Sequence, residues 1–384
     1  MRALLLLLAL AVVQALDNGL GKLPGLGWNS DYCTNCSSKL IGLGAGPNSQ
    51  NEKFVRHIAD WFHTHKYPMA SDGSMKTMQQ MGFHYVNIDA NWDLLNRSAA
   101  GDLVPDPALY PSGMDKLVGY IHSLGLGFGL YGDRGTMDCG KAPGQYKHEA
   151  HDAAWLGAHK IDWFKSDSCY TYDRGVPGDK GHIDAIILYE KMRDGFNKSG
   201  YKVWWALCGW DPLWAGDPRS ASKPIPGNKY PGHPVGNSLA NSARIGPDTG
   251  GGWTAALSNL QNALPVQQFV GPHRSGGFWN DGCLPLTPGK GCKGEGDSIY
   301  DGDSPSDDCM TNRRFQSMYA LWTVNSFNLL LSGDFAQLNP FVMSTWTNDV
   351  AVGINQDRLG KNRKRLVDPH NSDCQLFGCD PVAG

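Results

Sequence analysis

Apolar and polar positions along this chain follow two alternating periods. Eight short runs are dense in apolar and aromatic residues and are bounded mostly by Gly, Pro, Asn or Asp. They are 26–30 (LGWNS), 85–89 (YVNID), 127–133 (GFGLYGD), 163–167 (WFKSD), 203–209 (VWWALCG), 243–248 (ARIGPD), 269–281 (FVGPHRSGGFWND) and 328–334 (NLLLSGD). Runs of this kind read as strands. Segments of helical period lie between them. Residues 111–125 place Met114, Leu117, Val118, Ile121 and Leu124 on one stripe, with Ser112 and Asp115 in the pattern of a capping box. Residues 183–196 and 312–324 repeat the stripe, whereas 211–236 reads as a Pro/Gly-rich loop. Strands alternating with helices imply a parallel sheet, and eight such units imply an α/β fold of the (β/α)8 TIM-barrel type. Long Gly-, Pro- and Asp-rich insertions follow the fourth, fifth and seventh strands. Long loops on that side are what a barrel carrying its site at the C-terminal face would show.

The ends of the chain follow other patterns. Leu4 to Val13 form an apolar run behind Arg2, too short to span a bilayer, and Val13-Gln14-Ala15 resembles a small-residue cleavage site. The expected organisation is a signal peptide over 1–15, a catalytic domain over 16–357, and a linker with the truncated start of a further domain over 358–384. No later stretch is long and apolar enough to anchor the chain in a membrane. A net charge of -3 leaves no electrostatic footprint for nucleic acid. The ten cysteines are interpretable if the chain enters the secretory pathway, where disulfides are favoured. Cys33 and Cys36 lack the second pair of a zinc site and read as structural. Sequons at Asn35, Asn96 and Asn197 fit the same compartment. The expected location is extracellular or lysosomal/vacuolar. His63 and His65 sit two apart on a helical segment and share no face, so they are not expected to hold a metal.

The candidate chemistry lies at the strand ends: Trp28, Asp89, Tyr131 with Asp133, Lys165 with Asp167, Arg244 followed by Asp248, and Asp281. In a barrel these ends converge on one cleft. Carboxylates would not gather there for packing, because like charges out of water repel. Lys165 and Asp167 are two apart in a strand and face the same side. An ammonium beside a carboxylate favours the ionised form, which suits a nucleophile. Asp248 lies in a Pro/Gly-held loop near Trp253, and apolar cover there would raise its pKa, which suits an acid. Trp28, Trp92, Tyr131, Trp210 and Trp279 are candidates for stacking on sugar faces, with core packing the alternative for each. Two carboxylates in contrasting surroundings are what glycoside hydrolysis requires.

At these residues the sequence resembles glycoside hydrolase family 27, the α-galactosidase (melibiase) and α-N-acetylgalactosaminidase family. The resemblance runs from about Leu16 to Gly360, through LDNGLGKLPGLGWNS, YVNIDANW, GLGFGLYGDRGTMDCG, DWFKSDSCY, ALCGW, ARIGPD, GGFWND and INQDRLG. It implies a catalytic barrel, a C-terminal β-sandwich largely missing from this chain, and retaining double displacement without a cofactor. By its motifs Asp167 is the nucleophile and Asp248 the acid/base. Trp28, Asp89, Tyr131, Lys165, Arg244 and Asp281, the last in the Trp-Asn-Asp stretch, are implied to bind substrate. Cys139 and Cys169 are implied to pair beside the nucleophile. The implied partner is a terminal α-galactoside of an oligosaccharide, glycolipid or glycoprotein.

Several sugar-reading positions depart from the family pattern. Ala90 stands where a second Asp is usual, Gly209 where a Glu is usual, and Cys283 where an Asp is usual. These departures keep other specificities open on the same scaffold: an α-N-acetylgalactosaminide, a β-L-arabinopyranoside or an α-glucoside. A sugar-binding protein without turnover is the rival of another class. Retention of Asp167, Asp248 and Lys165 together argues for an enzyme.

Overall fold

The structure, a computed structural model, describes residues 16, 18–31, 50–170, 182–208, 236–264, 270–272, 277–288 and 309–359. Eight strands form its parallel core: β1 (Leu26–Asn29), β2 (Tyr85–Asn87), β3 (Gly127–Asp133), β4 (Trp163–Asp167), β5 (Trp204–Leu207), β6 (Ser242–Arg244), β7 (Gly277–Asp281) and β8 (Leu329–Leu331). Seven fall within the runs read from the sequence, and β6 begins one residue ahead of its run, at Ser242. The ladder runs β8-β1-β2-β3-β4-β5-β6-β7, and a two-residue antiparallel strand, Gly271–Pro272, adds to β7. The gap between β7 and β8 is bridged by side chains. Trp322 donates its indole N–H to the Cys283 carbonyl at 2.9 Å. Gly282 packs on the Phe327 ring so closely that a Cβ would come within 2.4 Å of it.

The helical layer comprises α1 (Glu52–Thr64), α2 (Met114–Ser123), α3 (Glu149–Ala158), α4 (His182–Ser199), α5 (Gly236–Leu239), α6 (Trp253–Ala263), α7 (Asn312–Val324), α8 (Pro340–Trp346) and α9 (Asp349–Asn355). The capping box expected for α2 does not form. Its N-cap is Gly113 at φ 86°, without a side-chain cap. Ser112 instead gives its hydroxyl and its amide to Glu52 at 2.6 and 3.0 Å, tying α2 to α1. An antiparallel hairpin, Lys66–Pro68/Met75–Thr77, lies outside the eight runs. None of the helices described here is long and apolar enough to cross a membrane.

Period-two alternation sorts each strand between the barrel interior and the helices. On β4, Trp163, Lys165 and Asp167 share one face, while Phe164 packs against Phe196 of α4 and Ser166 bonds Gln145. Trp163 and Trp204 stack at 4.7 Å and cluster with Trp279 and Leu330. The interior is so full here that a Cβ on Gly129 would lie 2.0 Å from Asn87 Oδ1. The segment leading into β1 closes the strands' N-terminal end. Asn18 bonds Val203 and Asn241 at 2.7 and 2.8 Å, and Trp279 donates to the Gly21 carbonyl at 2.7 Å. The strand-end side chains Asp89, Tyr131, Lys165 and Asp167 belong to the opposite, C-terminal end.

Candidate active site

Lys165 and Asp167 end on the same face of β4, but their partners differ from the simple pair the spacing suggests. Lys165 Nζ donates to Asp89 Oδ2 at 2.8 Å and lies 5.0 Å from the centre of the Tyr131 ring. Burial opposes its charge, but Asp89 first, with Asp31 and Asp167 adding to it, keeps the ammonium charged. Asp89 is itself fixed, with its amide donating to Ser30 Oγ at 2.8 Å. The direct donors to Asp167 are the Tyr131 hydroxyl at 3.0 Å and the Ser168 amide at 2.8 Å. Burial, then the charges of Asp167, Asp89 and Asp133, raises the Tyr131 phenol far above its ordinary range, so Tyr131 acts only as a donor. The Trp92 indole N–H fixes the Tyr131 carbonyl at 2.8 Å from behind.

Across the cleft, Arg244 at the end of β6 is buried and reaches Asp248 Oδ1 at 2.9 Å and the Gly246 carbonyl at 2.9 Å. The Asp248 side chain is 66 % exposed. Its partial desolvation pushes the carboxyl up, but Arg244, with Lys165 behind it, outweighs this and holds it below the usual carboxylate range. That corrects the expectation of an acid raised by apolar cover. The Trp253 ring expected to supply the cover lies under the Arg314 guanidinium, 5.9 Å away. Burial raises Asp281, Arg244 opposes it, and one of its oxygens accepts the Cys283 amide at 2.8 Å.

Two buried thiols flank this pair, Cys208 at the end of the β5 run and Cys283 at one of the departing sugar-reading positions. Cys208 Sγ is 3.6 Å from Arg244, and Cys283 Sγ is 3.8 Å from Asp248 Oδ1. Burial, and then the nearby Asp167 charge, raises the Cys208 thiol, against Lys165 and Arg244, which pull it down. Its position at the end of β5, flanked by β4 and β6, was the available signal.

The aromatic residues mostly leave the cleft. Trp28 is 0 % exposed, packs on Phe54 of α1 and gives its N–H to the Gly333 carbonyl at 2.9 Å. It presents no free face to a sugar, because it falls on the helix side of β1. Trp92 and Trp279 are likewise core residues with their N–H groups on backbone carbonyls. Trp210, Gly209, Cys33, Cys36, Asn35, the apolar N-terminal run 1–15 and the segment 360–384 lie outside the described residues. His63 bonds Gln79 and His65 stacks on Trp61, consistent with the absence of a shared face.

Cys139 and Cys169 form a disulfide that joins the loops after β3 and β4 and closes 30 residues, with one sulfur 3.5 Å from Asp167 Oδ2. Replacing both by Ser is expected to lower stability by about 2–4 kcal/mol in denaturant titration. An unchanged midpoint would show that the link carries no stability. Among the described residues, the one group close enough to share a metal is Asp133, Asp167, Cys139 and Cys169. Half of it is this disulfide, whose sulfurs are not thiolates, so the donor set suits no ion.

Known proteins support the same assignment. The model of the alpha galactosidase A family matches residues 51–284. A probable alpha-galactosidase of Dictyostelium discoideum is 30% identical over 99% of this chain and 80% of its own length. Alpha-galactosidase 3 of Arabidopsis thaliana is 28% identical over 96% of this chain and 68% of its own length. Alpha-galactosidase I from Mortierella vinacea shares the fold at a TM-score of 0.67 and 23% identity, over 92% of this chain and 78% of that one. Across the first matched relatives and structures the chain spans 63% to 80% of the partner's length. With the barrel, the converging strand ends and the family motifs in place, the chain belongs to the alpha galactosidase A family of glycoside hydrolases.

Proposed function

We propose that this protein is a retaining α-galactosidase acting by double displacement. The observation that carries the reading is the contrast between two carboxylates on one cleft. Asp167 is fixed by a phenol and a backbone amide, while Asp248 is solvent-open and loop-borne on a guanidinium. A fixed carboxylate is suited to attack at the anomeric carbon. An accessible one is suited to deliver a proton to the leaving oxygen and later to activate water. In the first step the Asp167 oxygen–carbon bond forms as the glycosidic bond breaks, and the proton of Asp248 goes to the departing oxygen. In the second, water adds at the same carbon, its proton returns to Asp248, and Asp167 is released as a carboxylate. Lys165 and Asp89 would hold the sugar's hydroxyls. The natural substrate would be a terminal α-galactoside of an oligosaccharide, glycolipid or glycoprotein. The Cys139–Cys169 disulfide supports an oxidising compartment, in keeping with a secreted or lysosomal/vacuolar protein.

One observation favours a second specificity. Ala90, beside Asp89, has no side-chain acceptor, and its carbonyl is taken by Gln50 Nε2 at 2.8 Å. A site lacking a buried partner for one hydroxyl discriminates less against a sugar that lacks or modifies it. Hydrolysis of a panel of aryl α-galactoside, α-N-acetylgalactosaminide, α-glucoside and β-L-arabinopyranoside separates the readings. Fastest release from the galactoside, with retained configuration by NMR, is expected. Fastest release from another sugar would move the specificity. Saturable binding of galactose without turnover of any substrate would favour the sugar-binding reading.

A further inference from the structure

Asp133 ends β3 on the same face as Tyr131, is 0 % exposed, and stands in register with Asp167 on β4. The proposed mechanism gives it no step. Its two oxygens nevertheless accept one amide from each loop that frames the nucleophile: Gly135 N at 2.6 Å and Cys169 N at 2.5 Å. The first loop is the one that carries Cys139, and Cys169 is two residues past Asp167. Further bonds run between the same loops, from Arg134 N to the Asp167 carbonyl at 3.0 Å and from Thr136 N to the Tyr170 carbonyl at 3.3 Å. The space is closed as well. A Cβ on Gly135 would meet the Tyr170 carbonyl at 2.3 Å and Asp133 Oδ1 at 2.9 Å. A ligand oxygen of Asp133 lies within 4.8 Å of one of Asp167.

We propose that Asp133 is a positioning residue for Asp167, fixing the nucleophile's strand end through the Gly135 and Cys169 amides. The proposal rests on Asp167 being the nucleophile. Asp133 performs this without charging the site. Burial, and then the neighbouring Asp167, pushes its carboxyl up to about 8, against the two amides and Arg134, which pull it down. The other titratable groups facing it are Tyr131 on its own strand and Tyr189 on α4, both neutral because their phenols are raised. Below about pH 8 the Asp133 carboxyl is therefore mostly protonated and adds no charge beside the nucleophile. Two carboxylates this close and this dry resist ionising together. When Asp167 is converted to its glycosyl ester the repulsion ends, and Asp133 is then eased toward ionisation while its amides keep the loops in place.

Two arms test this, one of which needs no turnover. In Asp133→Asn one oxygen is replaced by an amide nitrogen, so one loop loses its acceptor, and Asp133→Leu removes both. The expected result on the fastest aryl glycoside is a kcat lowered about 10- to 100-fold for Asn and further for Leu. KM should stay within about threefold, since Asp133 touches no sugar. Either variant within twofold of the wild-type kcat would overturn the proposal. So would a loss confined to KM. In the second arm the carboxylic C=O stretch of Asp133, assigned by its loss in Asp133→Asn, is followed by infrared titration. Its midpoint should move to lower pH when Asp167→Asn removes the neighbouring charge, and an unmoved midpoint would overturn the coupling. A wild-type protein that turns over no glycoside would instead fail the nucleophile reading, and the titration would still decide whether Asp133 and Asp167 are coupled.

Discussion

Asp167→Asn is expected to lower turnover of the preferred aryl glycoside by about 10⁴-fold or more, with the fold and sugar binding retained. The substitution is nearly isosteric. The amide oxygen can still accept from the Tyr131 hydroxyl or the Ser168 amide, which hold the carboxylate now. The disulfide and the Asp133 bonds that set the strand end do not involve the changed atoms. What is lost is the anionic oxygen that forms the bond to the anomeric carbon. Among the described residues its two nearest carboxylates cannot replace it: Asp133 is buried, and Asp89 is bound to Lys165. Steady-state kinetics beside thermal melting would measure the effect. A variant that melts like wild type yet keeps a tenth of its activity would mean that Asp167 is not the nucleophile. Azide can enter the space vacated by a shorter variant, Asp167→Gly. Recovery of activity with formation of a glycosyl azide of inverted configuration would place the missing nucleophile on that face of the sugar.

The strands were legible because each is an apolar run long enough to be buried on both sides, and their residues alternate between the tryptophan-filled interior and the helices. The convergence of Asp89, Tyr131, Lys165 and Asp167 followed from that alternation, because side chains two apart share a face. What alternation cannot give is the neighbour across the ladder. Lys165 was read with Asp167, its neighbour in sequence, whereas its ammonium bonds Asp89, 76 residues away. Trp28 was read as a strand-end aromatic, yet β1 presents it to α1, a matter of which parity of that short strand faces inward. The missing capping box has a similar cause: Ser112 satisfies Glu52 of α1, a tertiary bond that outcompetes a local one. Asp133 was visible as a strand-end carboxylate, but its role depends on two amides in separate loops, which no spacing reveals.

Asp248→Ala is expected to produce the second largest loss, about 10²–10⁴-fold on substrates with poor leaving groups and much less on those with activated aryl groups. An alkoxide cannot depart without a proton, whereas a nitrophenolate can. The pH dependence carries more information than the size of the loss. Asp248 must be protonated to act as the acid, yet Arg244 at 2.9 Å holds it below the ordinary carboxylate range. The acid form is therefore present only at low pH in the free enzyme. On substrates that need the proton, kcat/KM should decline as pH rises from the acidic side, which is the limb that reports the free enzyme's acid. Arg244→Met removes the opposing charge. Without it, partial desolvation raises the carboxyl, so the declining limb should move to higher pH even as Arg244's other contacts are lost and the maximum rate falls. The pH profile of kcat/KM for wild type and Arg244→Met would measure this. A limb that stays in place would mean that Asp248 is not the titrating acid. A limb that moves down would mean that Arg244 favours the protonated form, against the geometry. An upward shift would show that the cleft separates its two carboxylates by their partners: Asp167 by a phenol that cannot lose its proton, and Asp248 by a guanidinium that cannot either, with the sugar's leaving oxygen deciding when the second carboxylate takes up the proton it must give.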